Sequence, residues 1–314
     1  MTAFEVAPGV RGLDLWDRGR AHHTSGYIVT SPRPALVDPG PARSVPIWLR
    51  SFAESGMVPA DIAYVFVTHI HLDHAGGVGT LLRHLPGARV VVHRHGARHL
   101  ADPSRLIAGA RQVFGERLEE YFGLPEPVPE TRLLVPEPDA TVDLGGGHRL
   151  RFFEAPGHAR HQHLLLDGAT GCLFSGDELG GRFVGVAPDY VLPDAAPNQF
   201  DPEAMVRSAR LLSTLRPQAV LFAHFSRYPR DNETLRRRLE DQVHAFTALG
   251  DPDGGAATPA RIHARLVEHV QRDLATWGLN WTPPVEEELA EHLEVSAQGI
   301  ADYWQRRGAR GGAA

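Results

Sequence analysis

The sequence predicts an α/β sandwich, and three observations predict it. Short apolar runs bounded by Gly and Pro recur at the length of buried strands. They alternate with segments whose apolar residues fall at helical spacing, the pattern of layered α/β folds. The 314-residue chain is 42% hydrophobic and 22% charged, so it can build a large core without staples.

Taken in order, the first 45 residues read as short strands between turns, with Gly26–Val29 and Ala35–Asp38 the clearest. Residues 44–55 read as a helix, with Ser44 as N-cap, Pro46 in the first turn and Gly56 as terminator. A buried strand at 63–67 precedes a histidine-rich segment, and a helix at 77–85 and a strand at 89–93 follow. Residues 95–123 carry helical spacing and end in Gly123. A run of prolines (125, 127, 129, 136, 138) comes next, so 95–140 reads as an inserted helical lid and loop. Strands resume at 149–155, 163–167 and 171–175, with a turn at Gly145-Gly146-Gly147. A helix at 202–216 and a strand at 218–223 complete this part. Beyond residue 230, Asp231, Thr258 and Thr282 each open a helix. The expected division is a catalytic domain over 1–230 and a helical extension over 231–314, whose Arg236-Arg237-Arg238 run reads as a solvated face.

Composition excludes several chemistries. All 32 basic residues are arginine, which removes Schiff-base catalysis, lysine-held pyridoxal phosphate and a Walker-A loop. The single Cys172 rules out an internal disulfide and any multi-cysteine metal site. Net charge is −6, so no nucleic-acid partner is expected. No apolar run is long enough to cross a bilayer and no signal peptide is visible at the start. A cytoplasmic protein is expected, with a small-molecule substrate, no membrane partner and room for a homodimer through the tail helices. Histidine, at 18 residues, is well above an ordinary share.

Those histidines concentrate in Thr68-His69-Ile70-His71-Leu72-Asp73-His74, directly after a strand. Three imidazoles and a carboxylate within six residues is a metal-binding density. Period-two geometry sends His69, His71 and Asp73 to one side, and a turn at Asp73-His74 brings the last imidazole round. Glycines 76, 77 and 79 follow, where a helix must start close beneath the site. Three later candidates, His158, Asp177 and His224, each follow or end a predicted strand. All of them therefore sit where strand ends converge.

The ordered set resembles the metallo-β-lactamase fold superfamily, marked by H-x-H-x-D-H, then a distant His, an Asp and a final His. Val37-Asp38-Pro39-Gly40 resembles its early strand-end Asp-x-Gly. The likeness covers roughly residues 4–228 and implies an αββα sandwich, to which the C-terminal helices are an addition. It implies two divalent ions: His69, His71 and His158 on one, Asp73, His74 and His224 on the other, and Asp177 bridging. Zinc is the expected metal, and iron or manganese suits the same ligands. The implied reaction is attack of a metal-bridging hydroxide on an ester, thioester or lactone carbonyl. Asp73 would orient the nucleophile, and Asp38 would hold a ligand imidazole.

Glyoxalase II and many thioesterases read like P-G-H-T-P-G-H at the third motif. Here the sequence is Pro156-Gly157-His158-Ala159-Arg160-His161-Gln162-His163, which weakens that assignment and leaves His161 to touch substrate or support His158. The Gly-, Pro- and Asp-rich segment 178–200 is expected at the pocket rim. Tyr190 within it and Tyr228 beyond it are the phenols nearest the ligands in sequence, and by the same resemblance one of them, Tyr190 first, is expected to polarise a carbonyl or stabilise an oxyanion. Two alternatives stand beside the hydrolase. One is a mononuclear non-haem iron, persulfide dioxygenase-like oxidase; the other is a catalytically silent binding protein on this scaffold.

Overall fold

The computed structural model describes residues 3–251 and 257–311. They form two compact units. The first takes the chain up to Glu154, then His161–Gly176 and Pro217–Tyr228; the second takes Ala155–Arg160, Asp177–Arg216 and the residues from Pro229 on. This division differs from a single break at residue 230. The reason is that the helix over 202–215 packs on the first tail helix, so residues before 230 share a core with the tail.

The first unit is built on two sheets. One runs in the order β1 (Phe4–Ala7), β2 (Val10–Asp14), β3 (Ser25–Val29), β4 (Ala35–Val37), β5 (Tyr64–Phe66), β6 (Arg89–Val91) and β7 (Leu133–Leu134). It is antiparallel as far as β4 and parallel beyond. The other contains β8 (Thr141–Gly145), β9 (His148–Glu154), β10 (His163–Asp167) and β11 (Cys172–Gly176). A short ribbon in the second unit, β12 (Gly181–Arg182) with β13 (Val191–Leu192), intervenes in sequence. β14 (Ala219–Phe222), parallel to β11, and the edge strand β15 (Ser226–Arg227) complete the second sheet.

Strand alternation sorts the side chains into layers. Tyr27, Val29, Phe66 and Val91 meet Leu150, Phe152, Leu165, Phe174 and Leu221 between the sheets. Their neighbours Ile28, Leu36, Val65 and Val90 turn the other way, onto Trp48, Phe52, Val78 and Leu81. Each such buried side chain contributes about 1.5–3 kcal/mol through area removed from water.

Helix α1 (Val45–Ser55) buries Val45, Trp48, Ser51 and Phe52 and ends at Gly56 with φ +68°. Ser44 stands at its N-cap as expected but makes no side-chain cap bond; its hydroxyl donates to the Leu15 carbonyl instead. After β5 come the short helices α2 (Leu72–Ala75) and α3 (Val78–Leu82). Gly79 lets α3 approach the neighbouring chain, because a Cβ there would lie 2.1 Å from the Glu126 carbonyl oxygen. The 95–123 segment is not one helix but three: α4 (Arg94–Ala101), α5 (Ser104–Phe114) and α6 (Arg117–Phe122). Pro103, which lacks an N–H, makes the first break, and Gly115 at φ +57° makes the second.

The second unit holds α7 (Pro202–Leu215), α8 (Asn232–Ala248), α9 (Pro259–Thr276) and α10 (Pro283–Gly311). Asp201, Asp231 and Thr258 each accept a backbone N–H at the helix start, as N-caps do. Leu235, Leu239, Val243 and Phe246 of α8, Ile262, Leu266, Val270 and Leu274 of α9, and Leu289, Leu293 and Ile300 of α10 supply the core. The arginine run is not uniformly solvated. Arg236 and Arg237 pair with Glu233, but Arg238 turns inward to Asp273, with both nitrogens 2.7 Å from its oxygens. Among the described residues no helix is long and apolar enough to cross a membrane.

Candidate metal centre

In the first unit the histidine motif follows β5 as irregular chain with a bend at Thr68. His71 has extended angles (φ −60°, ψ 155°) as the N-cap of α2, so Asp73 and His74 project from a helical turn. The strict strand alternation expected for His69, His71 and Asp73 therefore does not hold.

Asp73, His74 and His224 come together in this unit, each offering one ligand atom within 4.8 Å of the others. The Asp73 Oδ2 oxygen lies 3.5 Å from His74 Nε2 and 3.4 Å from His224 Nε2. Burial works against the charge on Asp73, but the two imidazoles outweigh it and hold the carboxyl well below the usual range. Nearby, His69 Nε2 and His71 Nδ1 converge to 3.0 Å. These are nitrogen and carboxylate-oxygen donors without thiolate, a set that fits a divalent ion such as zinc, iron or manganese.

Hydrogen bonds decide which nitrogen each ring presents. The buried Asp38, held at φ +49°, accepts from Thr68 twice: the backbone N–H at 2.7 Å and the hydroxyl at 2.8 Å. Having donated its only proton, the Thr68 oxygen accepts from His69 Nδ1 at 3.1 Å, which leaves Nε2 with the lone pair. Asp38 Oδ2 also lies 3.6 Å from His74 Nδ1, where the imidazole-holding role expected of it would act. His161 is brought to the same place: its ring stacks parallel to His69 at 6.1 Å and edge-on to His71 at 5.4 Å. Gln162 turns away, donating to the Ser175 carbonyl at 3.0 Å.

In the second unit His158 and Asp177 are neighbours, with His158 Nε2 3.6 Å from Asp177 Oδ2. His158 Nδ1 is 3.0 Å from the Asp194 carbonyl oxygen, an acceptor only, so this ring too presents Nε2. The loop before it is fixed by Glu178, which accepts the backbone N–H groups of Gly157 (3.0 Å) and His158 (2.9 Å). Burial pushes the Glu178 carboxyl up to about 8 in spite of those donors. Gly157 is needed for the close approach, since a Cβ would lie 2.4 Å from the backbone of Met205.

Tyr190 is placed differently from the expectation. It is fully buried, its hydroxyl donates to Asp273 at 2.8 Å, and the Arg238 guanidinium lies 4.8 Å over its ring. Burial, with Asp273 alongside, raises the phenol well above its usual range. The hydroxyl is committed to the ion pair between α8 and α9, and no oxyanion role follows for it. Sequence reasoning also passed over Thr68, Asp194 and Glu178. Only Thr68 carried a local cue, as a hydroxyl directly before the first histidine.

Comparison with known proteins gives the family. The family model described as the metallo-beta-lactamase superfamily matches residues 18–224. A metallo-beta-lactamase fold-containing protein of Sulfurisphaera tokodaii is 32% identical over 164 residues, covering 51% of this chain and 59% of that protein. A hydroxyacylglutathione hydrolase of Alkalilimnicola ehrlichii is 31% identical over 226 residues, covering 69% of this chain and 70% of that enzyme. Among solved structures, a metallo-beta-lactamase family protein of Thermus thermophilus superposes with a TM-score of 0.69 at 20% identity, covering 97% of this chain and 96% of the other. That likeness shows the fold, an α/β sandwich of this type followed by a C-terminal helical segment.

Proposed function

The chain belongs to the metallo-beta-lactamase superfamily, and from that membership we propose a hydrolase that uses two divalent ions, zinc foremost, on an ester, thioester or lactone of small-molecule size. The observation that carries the proposal is the convergence of Asp73, His74 and His224 beside the His69–His71 pair. His69, His71 and His158 would hold one ion, Asp73, His74 and His224 the other, and Asp177 would serve both. Bound divalent ions supply Lewis acidity, polarising the substrate carbonyl and acidifying a water toward neutral pH.

The chain's own residues do the rest. Asp73, kept ionised by its two imidazole neighbours, accepts a hydrogen bond from the attacking water and fixes its direction. His69, His158 and His224 are held in the Nε2-presenting form, so none of these three has to shed a ring proton at that nitrogen. His161, whose ring neighbours those of His69 and His71, would hydrogen-bond the substrate or support His158. The 31% identity to a hydroxyacylglutathione hydrolase supports an acyl substrate over other classes.

The test is hydrolysis of an aryl ester, a thioester and a lactone before and after metal removal by chelation. Activity on at least one of them should vanish on chelation and return with zinc, and His71→Ala should not recover it. Hydrolysis that persists in chelated protein contradicts the proposal.

A further inference from the structure

The loop between β2 and β3 is organised beyond the needs of a connector. Its neck is closed by Leu15 N–H to the Thr24 carbonyl at 3.0 Å, and Ser25 N–H reaches the carbonyl of Ala223, the residue before His224, at 2.7 Å. Within it Trp16, Arg18 and His22 hold φ +46°, +56° and +58°, angles that non-glycine residues rarely adopt. On its far side the Arg18 guanidinium lies over the rings of Phe114, Tyr121 and Phe122 at 5.7, 5.1 and 4.8 Å. Backbone held this way is usually over-determined by what surrounds it.

At the centre is Asp17, 1% exposed. Its Oδ2 accepts from His23 Nδ1 at 3.0 Å and from the Thr24 hydroxyl at 3.3 Å, while Oδ1 has no hydrogen-bond partner among the described residues. Arg18 Nε lies 3.5 Å from Oδ2 and faces its charge, while the unmatched Oδ1 is costly to bury. His23 and Thr24 both touch one nitrogen. His224 Nδ1 is 2.8 Å from the His23 carbonyl oxygen and 3.3 Å from Thr24 Oγ1. A carbonyl only accepts, so Nδ1 carries the proton and Nε2, 3.4 Å from Asp73, carries the lone pair.

We propose that Asp17 is a positioning residue for the ion held by Asp73, His74 and His224, acting through Thr24 and the His23 carbonyl on the tautomer and angle of His224. The inference rests on the two-ion reading. The arrangement repeats the one at His69. Asp38 takes the Thr68 hydroxyl, which in turn accepts from His69 Nδ1. Asp17, Thr24 and His224 form the same carboxylate, hydroxyl and imidazole series from a different part of the chain.

The experiment is a cobalt(II) titration of metal-stripped full-length protein, read by d–d absorption, with His74→Ala identifying which step belongs to this site. Asp17→Asn and Thr24→Val should weaken that step by about tenfold to a hundredfold and leave the other step unchanged. Thr24→Ser, which keeps the hydroxyl, should restore it, a rescue that loss of general loop stability would not show. Two steps in the parent protein with affinities unmoved by both Asp17→Asn and Thr24→Val overturn this inference alone. Equal weakening of both steps overturns it as well. A parent protein that takes up one cobalt at saturation overturns the two-ion reading and this inference with it.

Discussion

His163 couples the stability of the first unit to pH. It sits at the start of β10, buried, with its ring 4.6 Å from His93, and its Nδ1 has no hydrogen-bond partner among the described residues. Charging it there would strip its hydration and set it against His93 and Arg94. Burial first, then those two neighbours, lowers its pKa to about 3. Glu154, which pairs with both Arg94 and His93, and His95, 5.0 Å from the His93 ring, complete the charged surroundings. The unfolded chain titrates near 6.5 at this residue. Above that value neither state binds the proton and stability is flat. Below it the unfolded state binds the proton and the native state does not, so stability falls by about 1.4 kcal/mol per pH unit until the native value near 3 is reached. At pH 5 the loss from this one residue is about 2 kcal/mol. His93, lowered to about 4, adds to the same limb. Urea unfolding followed by circular dichroism at pH 7 and pH 5 measures it, in the parent protein and in His163→Phe. The parent should lose about 2 kcal/mol more than the variant between the two pH values. Equal losses would show that His163 does not carry this pH dependence.

Two further outcomes follow from placement. Asp273→Ala leaves the Arg238 guanidinium, 12% exposed, without its carboxylate, and should cost about 3–5 kcal/mol in urea unfolding; a cost under about 1 kcal/mol would show that water already screens the pair. His161→Ala should lower kcat while metal content measured on the same sample stays unchanged, because the ring neighbours ligands without belonging to either ligand group; lost metal would instead make it a structural support.

The histidine motif was legible because His69, His71, Asp73 and His74 lie within six residues, a spacing that needs no tertiary information to be read. Strands buried on both faces were legible for a similar reason, since Tyr27–Val29 and Val65–Phe66 are unbroken apolar runs. What escaped depends on partners far along the chain. Arg238 looked like one of three equivalent surface arginines until Asp273 of the next helix was placed against it. Tyr190 looked like a phenol close to the ligands, yet proximity in sequence says nothing about where a hydroxyl points. Asp17 meets His224 through Thr24 across some two hundred residues, a distance over which no periodicity carries. The breaks at Pro103 and Gly115 are another matter. Both residues carry the ordinary marks of a helix end, and the apolar spacing across 95–123 masked them.

The proposed centre takes two ions per chain, one of them held by Asp73, His74 and His224. Elemental mass spectrometry on protein purified without added metal tests it most directly, with His74→Ala measured beside it. Close to two divalent ions per chain in the parent protein, falling to about one in the variant, is the predicted result. A single ion in the parent, or a variant that keeps the parent's full complement, would contradict it.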